Sequence, residues 1–233
     1  MYPTPPPAPL QPIRGLGTAA VALLAADAVV CLVASAIDAQ RAVLVDSFLA
    51  DTDSVPISAL ETNDVLYATS GLVETVVYVA TAVMFLVWLF RARANAETLS
   101  PWPHRRATPW LIFGWVVPIV NFWFPKQIVD DIWTSSKPGA TQESGNFATA
   151  RRSGLVLAWW LVWVLMTLVT RFVSRRFADA EELPDIRDAA VFDIVGNVLT
   201  IGAAALAVAV VLAITRFQED RRRAASWSYP YAG

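Results

Sequence analysis

The chain has 233 residues, 56% of them hydrophobic and 16% charged, with a formal net charge of −2. So little charge argues against a water-soluble domain, and a near-neutral total offers no basic field for nucleic acid. A single cysteine, Cys31, and a single histidine, His104, exclude an intramolecular disulfide, a thiolate metal cluster and bis-histidine haem ligation within one chain, so no metal and no cofactor is expected.

Residues 1–15 are Pro-rich and predict an extended, solvated tail with a polyproline bias and no dedicated partner. The tail carries one arginine, and no small-residue cleavage site follows. The next apolar run therefore reads as a retained span and not as a secretory signal. Four stretches, about 16–37, 66–90, 154–173 and 190–215, are apolar over the length that roughly 30 Å of hydrocarbon requires. They predict an all-α integral membrane protein whose four transmembrane helices form two hairpins, a membrane domain covering residues 16–216.

The connection between the first two spans, residues 38–64, is long and acidic. Within it 42–48 predicts a short separate helix, and the Val55–Pro56 step a break. The second span leaves the bilayer through an arginine-rich stretch suited to anionic headgroups.

Residues 108–124 are apolar and uncharged but short, and Pro118 interrupts them. Thr108 as N-cap and Pro109 at the first helical position predict a helix start, and Pro118 predicts a bend or an end. Gly114, Pro118, Asn121 and Pro125 recur at helical spacing, a stripe for packing, with Asn121 suited to satisfy backbone groups freed at Pro118. Trp110, Trp115 and Trp123 suit headgroup depth.

Residues 126–133 put Ile128, Val129, Ile132 and Trp133 on one face, and Lys126, Asp130 and Asp131 elsewhere. That pattern predicts an amphipathic helix lying in the interface. Residues 140–150 predict a polar loop, and 217–233 a basic helix end running into an aromatic tail.

Charge orients the spans, because lysine and arginine in short loops stay cytoplasmic. With both termini and the central connection inside, the inner segments hold thirteen basic groups against six acidic ones, and the outer segments five against eleven. If 108–124 crossed the membrane, the basic groups would divide nine and nine and the signal would vanish. The expectation is therefore a plasma-membrane protein with N- and C-termini in the cytoplasm and a re-entrant or interfacial element at 108–133. A short fifth span is the alternative. A weak internal repeat lays 71–91 on 196–216, matching Gly71 with Gly196 and Arg91 with Arg216.

Ionisable groups inside spans are expensive and usually face protein or water. Asp27 and Glu74 fall at comparable depth at about 1.5 Å per residue. Together they could share a proton or hold a cation. In the structural alternative, they are protonated and tied to Ser35, Thr69, Thr75, Tyr78 or Asn197. Arg171 and Asp193, at matching depth across the second hairpin, predict a structural ion pair. Trp159, Trp160 and Trp163 read as an interfacial anchor. Walker, zincin, nucleophile-elbow and dinucleotide signatures are missing, so no enzymatic role is expected.

Two runs carry a resemblance. Trp88, Arg91, Arg93, Asn95 and Ala96 fit a Trp-x-x-Arg-x-Arg-x-Asn-Ala exit from a span. Gly114, Trp115, Pro118, Ile119, Asn121, Trp123 and Pro125 fit Gly-Trp-x-x-Pro-Ile-x-Asn-x-Trp-x-Pro, followed by an interfacial stretch ending at Trp133. In these the chain resembles a bacterial membrane-protein family of actinobacterial type, domain of unknown function 4328, from the first span onward. The resemblance implies a four-span inner-membrane protein and no activity.

The expectation is a membrane-embedded interaction or accessory protein working through its cytoplasmic face. Its expected partners are the lipid bilayer, a membrane or cytoplasmic protein and further copies of the chain, with no nucleic acid. The alternative is a small proton- or cation-coupled transporter or channel subunit using Asp27 and Glu74.

Overall fold

In the computed structural model, described over residues 9–139, 146–179 and 181–227, the chain is 80% helical and contains no strand among those residues. The helices are α1 (Arg14–Ala50), α2 (Ile57–Leu99), α3 (Trp110–Val116), α4 (Phe124–Ser136), α5 (Gly154–Arg176) and α6 (Leu183–Trp227). A 3-10 turn at Val120–Phe122 separates α3 from α4. Residues 1–8, most of the expected polar loop (140–145) and the aromatic tail (228–233) lie outside the described residues. The expected solvated tail at 1–15 is corrected over its described part, where Gln11 bonds Asn95, Ile13 is buried and α1 starts at Arg14.

α1, α2, α5 and α6 are each long and apolar enough to cross a membrane. Their large side chains point outward: Val29, Leu32, Leu72, Val76, Leu161, Leu165, Val195 and Val198 are all exposed. A water-soluble bundle buries such residues. An apolar belt of this kind needs hydrocarbon around it.

All four spanning helices overrun the apolar stretches that define them, α5 by the least. The short helix expected at 42–48 is not separate; it is the last part of α1, which continues unbroken to Ala50. Nothing between Asp38 and Ala50 is a helix breaker. The chain turns only at residues 51–56, where Ser54 Oγ donates to the carbonyls of Ser47 and Asp51. Likewise α6 continues through the basic segment to Trp227.

The chain divides into two compact units, each described by itself. The first comprises Met1–Ala22, Ala82–Ala158 and Val208–Gly233, and the second Leu23–Thr81 and Trp159–Ala207.

In the first unit, α1 starts without an acidic residue of its own in the first turn. Glu219 of α6 supplies the anion instead: its Oε1 accepts the backbone N–H of Ile13 at 2.8 Å and of Arg14 at 3.1 Å. Free N–H groups and the positive end of the helix dipole make that position favourable for a carboxylate. Gly17 permits close packing of α1 and α6, since a Cβ there would fall 2.6 Å from Thr215 Oγ1.

The bend after α3 follows from Pro118. Val117 turns extended, and Ile119 takes φ 69°, ψ −55° while Val120 N–H donates to the Pro118 carbonyl at 2.8 Å. This is a γ-turn on a β-branched residue, a strained geometry that persists only where its surroundings hold it. The segment Trp110–Val116 and the segment Val120–Ser136 consequently meet at 106°. Pro109 is the N-cap residue in place of the expected Thr108, and it makes no side-chain cap bond. Asn121 does not play its expected part through its side chain: its backbone N–H reaches the Val117 carbonyl at 3.1 Å, while its buried Oδ1 has no partner among the described residues.

α4 is amphipathic as expected, but its polar side is covered as well. Its apolar residues are buried, but so are Asp130 and Asp131. Their charges are matched within the protein, by Lys126 at 2.6 Å and Arg105 at 2.6 Å.

Candidate functional site

Two groups of candidate residues occur, one in each unit. In the first unit, the sequence-selected residues of α2 turn inward. Trp88 is fully buried, and its Nε1 donates to Thr215 Oγ1 at 3.0 Å. Asn95 is the centre of a satisfied network. Its Nδ2 donates to the Gln11 carbonyl at 2.9 Å and to Gln218 Oε1 at 3.0 Å, while its Oδ1 accepts the Gln11 N–H at 2.9 Å. Gln218 extends the network by donating to the Ala92 carbonyl at 2.9 Å and to Ser136 Oγ at 2.8 Å. Every donor of both amides is used, so the arrangement fixes α2, α4, α6 and the segment before α1 to one another.

Arginines add a second layer. Arg93 is buried, with Nε on Glu97 at 2.7 Å and Nη2 on the Arg106 carbonyl at 2.9 Å. Arg105 binds Asp131 with its backbone N–H at 2.9 Å and its Nε at 2.7 Å. Burial nevertheless raises the Asp131 carboxyl above the usual carboxylate range, against the opposing pull of Arg105. Arg106 lies 3.6 Å over the Phe124 ring. His104 sits against Phe147 at 5.0 Å, and burial, then Arg93, brings its pKa down to about 3.

The remaining family-pattern residues divide by face. Gly114, Asn121 and Pro125 are buried, and a Cβ on Gly114 would press to 3.3 Å from Phe124 Cβ. Trp133 meets Phe217 edge-on at 5.3 Å, and Trp115 meets Phe85 edge-on at 5.6 Å. Arg91 is partly exposed and reaches the Pro12 carbonyl at 3.4 Å. Pro118 and Trp123 are exposed, together with Ile112, Phe113, Val116 and Ile119.

In the second unit, a cavity of about 580 Å³ opens among α1, α2, α5 and α6. Asp27 and Glu74 both line it, so the spacing argument brings together two residues that the structure also brings together. Two further carboxylates line it that spacing did not link to them, Asp38 and Asp193. Asp193 accepts the Tyr67 hydroxyl at 2.9 Å, and Asp38 accepts Asn197 Nδ2 at 3.3 Å. Arg171 lines the same cavity as Asp193. Arg41 stacks 4.4 Å over the Tyr67 ring and pairs with Asp64 at 2.9 Å.

Three of the four hydroxyls named as partners for the two carboxyls are engaged elsewhere, and the fourth, that of Tyr78, bonds to neither carboxyl. Ser35, Thr69 and Thr75 donate to their own helix, to the carbonyls of Cys31, Val65 and Gly71. Among the described residues Asp27 and Glu74 have no hydrogen bond or ion pair, and no group of three or more His, Cys, Asp or Glu side chains is placed to hold a metal ion. Tyr67 and Asn197 reveal Asp38 and Asp193 as cavity residues. The available signal was Asp38 immediately after the first apolar stretch, where it read as the start of a loop.

The architecture is that of an all-helical protein with four helices fit to span a membrane and a sharply bent helix pair between the second and third. The chain belongs to the family described as domain of unknown function (DUF4328), whose sequence model matches residues 51–216. The match begins at α2, so the expectation that the family pattern extends back to the first span is corrected: α1, with Asp27 and Asp38, precedes it. No curated protein and no solved structure matches the chain.

Proposed function

We propose that this protein is a membrane-embedded interaction or accessory protein of the plasma membrane, not an enzyme, with both termini in the cytoplasm and a cytoplasmic face made of residues 91–95, 114–125 and 126–133. The observation that carries the reading is the two-sided segment from α3 through the strained turn at Ile119 to the start of α4. Leu111, Gly114, Asn121 and Pro125 are buried in the protein, while Ile112, Phe113, Val116, Ile119 and Trp123 are exposed on either side of the strained γ-turn at Ile119. An exposed apolar knob beside an arginine-rich segment suits insertion among lipid headgroups, with a membrane protein as neighbour.

Single cysteines introduced at positions 52 and 225, in a Cys31→Ala background, test the orientation with an impermeant thiol reagent on intact cells. Label at 52 and none at 225 is expected; the reverse removes the reading. A photocrosslinker at position 119 tests the surface. Adducts to lipid or to one discrete protein are expected, and their absence at 119 when a control in the apolar belt at 76 gives lipid adducts counts against it.

The cavity favours a second reading: a small proton- or cation-coupled transporter or channel subunit using Asp27 and Glu74, assembled from several copies because four helices enclose little pore volume. Here Asp27→Asn with Glu74→Gln abolishes transport in liposomes, and transport equal to the parent refutes it.

A further inference from the structure

We propose that the cavity of the second unit is a binding site for a primary ammonium group, received by Asp27 and Glu74.

Size comes first. About 580 Å³ lies within the roughly 300–1,000 Å³ of small-molecule sites and far exceeds what a bare ion fills. The carboxylates are also too dispersed for a metal cage, since no three such ligands converge among the described residues. The site accordingly suits a molecule with a body and a charged end.

Hydrogen-bond polarity then selects the kind of end. The lining sets four carboxylates against a single cation, Arg171, and most of its other donors, those of Tyr78 and Thr170 aside, are spent on other partners. Tyr67 gives its proton to Asp193 and Asn197 gives one to Asp38. Thr75, Thr167, Thr200 and Ser174 give theirs to backbone carbonyls one turn back, at 2.8–2.9 Å. Those hydroxyl oxygens keep lone pairs, and the four carboxylates add acceptors only, so the wall is rich in acceptors. A group consisting of donors alone complements it, and an ammonium with three N–H bonds is such a group.

Position within the cavity follows from which carboxylates lack partners. Asp38 and Asp193 are engaged. Asp27 is 5% exposed, lines the cavity, and has neither a hydrogen bond nor an ion pair among the described residues. Glu74 is likewise without one, and lies within electrostatic reach of Asp27. A carboxyl buried in this way is costly unless a partner arrives, and a cation that arrives recovers that cost. Tyr67, Tyr78 and Phe192 in the same wall provide aromatic surface for the ligand's body.

The ammonium has two sources, a free amine or the headgroup of an aminophospholipid entering from the bilayer. The inference shares its cavity with the transporter reading but needs no translocation. Binding without transport removes that reading alone, whereas absence of binding removes this one.

The test uses the full chain in lipid nanodiscs. In phosphatidylcholine discs, benzylamine is titrated against its neutral counterpart benzyl alcohol, with thermal stability and calorimetry as readouts. A second set of discs adds phosphatidylethanolamine. Saturable binding of benzylamine, at least roughly tenfold tighter than the alcohol, is expected. Undiminished amine affinity in the second discs identifies a free amine as the source, and competition identifies the lipid headgroup; both support the site. Asp27→Asn and Glu74→Gln should each weaken the amine roughly tenfold without changing the alcohol. Equal affinity of the parent for amine and alcohol overturns the proposal, as does no saturable amine binding with no effect of phosphatidylethanolamine. The parent comparison stands even if a variant fails to fold.

Discussion

Replacing Gln218 by leucine isolates the polar network of the first unit. The side chain is 1% exposed and engages three partners, Asn95, Ala92 and Ser136. Leucine has a similar volume, so packing is largely kept while the hydrogen bonds vanish. The Ala92 carbonyl retains its place in the helix. The Asn95 N–H loses its acceptor and the Ser136 hydroxyl loses a donor. Each orphaned buried group costs about 1–3 kcal/mol, so with two of them a loss of about 2–6 kcal/mol is expected. These residues lie beyond the apolar stretches of α2 and α6, so the unfolded chain reaches water there and soluble-protein magnitudes apply. Asn95→Ala alone should also destabilise, and the double variant should lose less than the two singles combined, by about 1–2 kcal/mol, because residues in one network couple. Denaturant unfolding in mild detergent, followed by tryptophan fluorescence, measures all four corners of the cycle. A neutral Gln218→Leu, or strict additivity, would refute the view that this network fastens the unit.

Two other perturbations have defined outcomes. Gly17→Ala should lower stability by about 1–3 kcal/mol, since its Cβ would overlap Thr215 and disturb the Trp88 hydrogen bond, whereas Gly15→Ala, with nothing within 4 Å, should be neutral in the same melt. His104 has a folded pKa of about 3 against an ordinary 6.5, so the unfolded chain binds the proton more readily. Its contribution is present above pH 6.5 and is lost as the pH falls toward 3. By pH 5 the loss reaches about 2 kcal/mol; His104→Phe should flatten this part of the stability profile between pH 7 and 5, and an unchanged slope would show that the buried ring does not cause it.

The spans were legible because crossing hydrocarbon needs long apolar runs whatever lies beside them, and length and composition alone reveal those runs. The same reasoning missed that α1 continues unbroken to Ala50, because polar residues in water can continue a helix without any apolar signature, whereas the helical basic end of α6 was expected. Pro118 announced a bend, but its form depended on Ile119 accepting a positive φ, which neighbouring packing must enforce. Asp27 and Glu74 were found by depth, since a carboxyl within an apolar run stands out. Asp38, just past such a run, looked like loop, and Gln218 and Glu219 looked like the polar end of a basic helix.

The sequence by itself determined the all-helical class, the four apolar segments and the family pattern around Trp88 and Gly114, all of which rest on local composition and fixed spacing. Only the tertiary structure decided that Asn95 meets Gln218, that Glu219 caps a helix some two hundred residues away, and that Asp27 and Glu74 share a cavity wall while Asp38 and Asp193 have partners of their own. Those are pairings across long stretches of chain. They depend on how helices rotate and pack against one another, which no local pattern records.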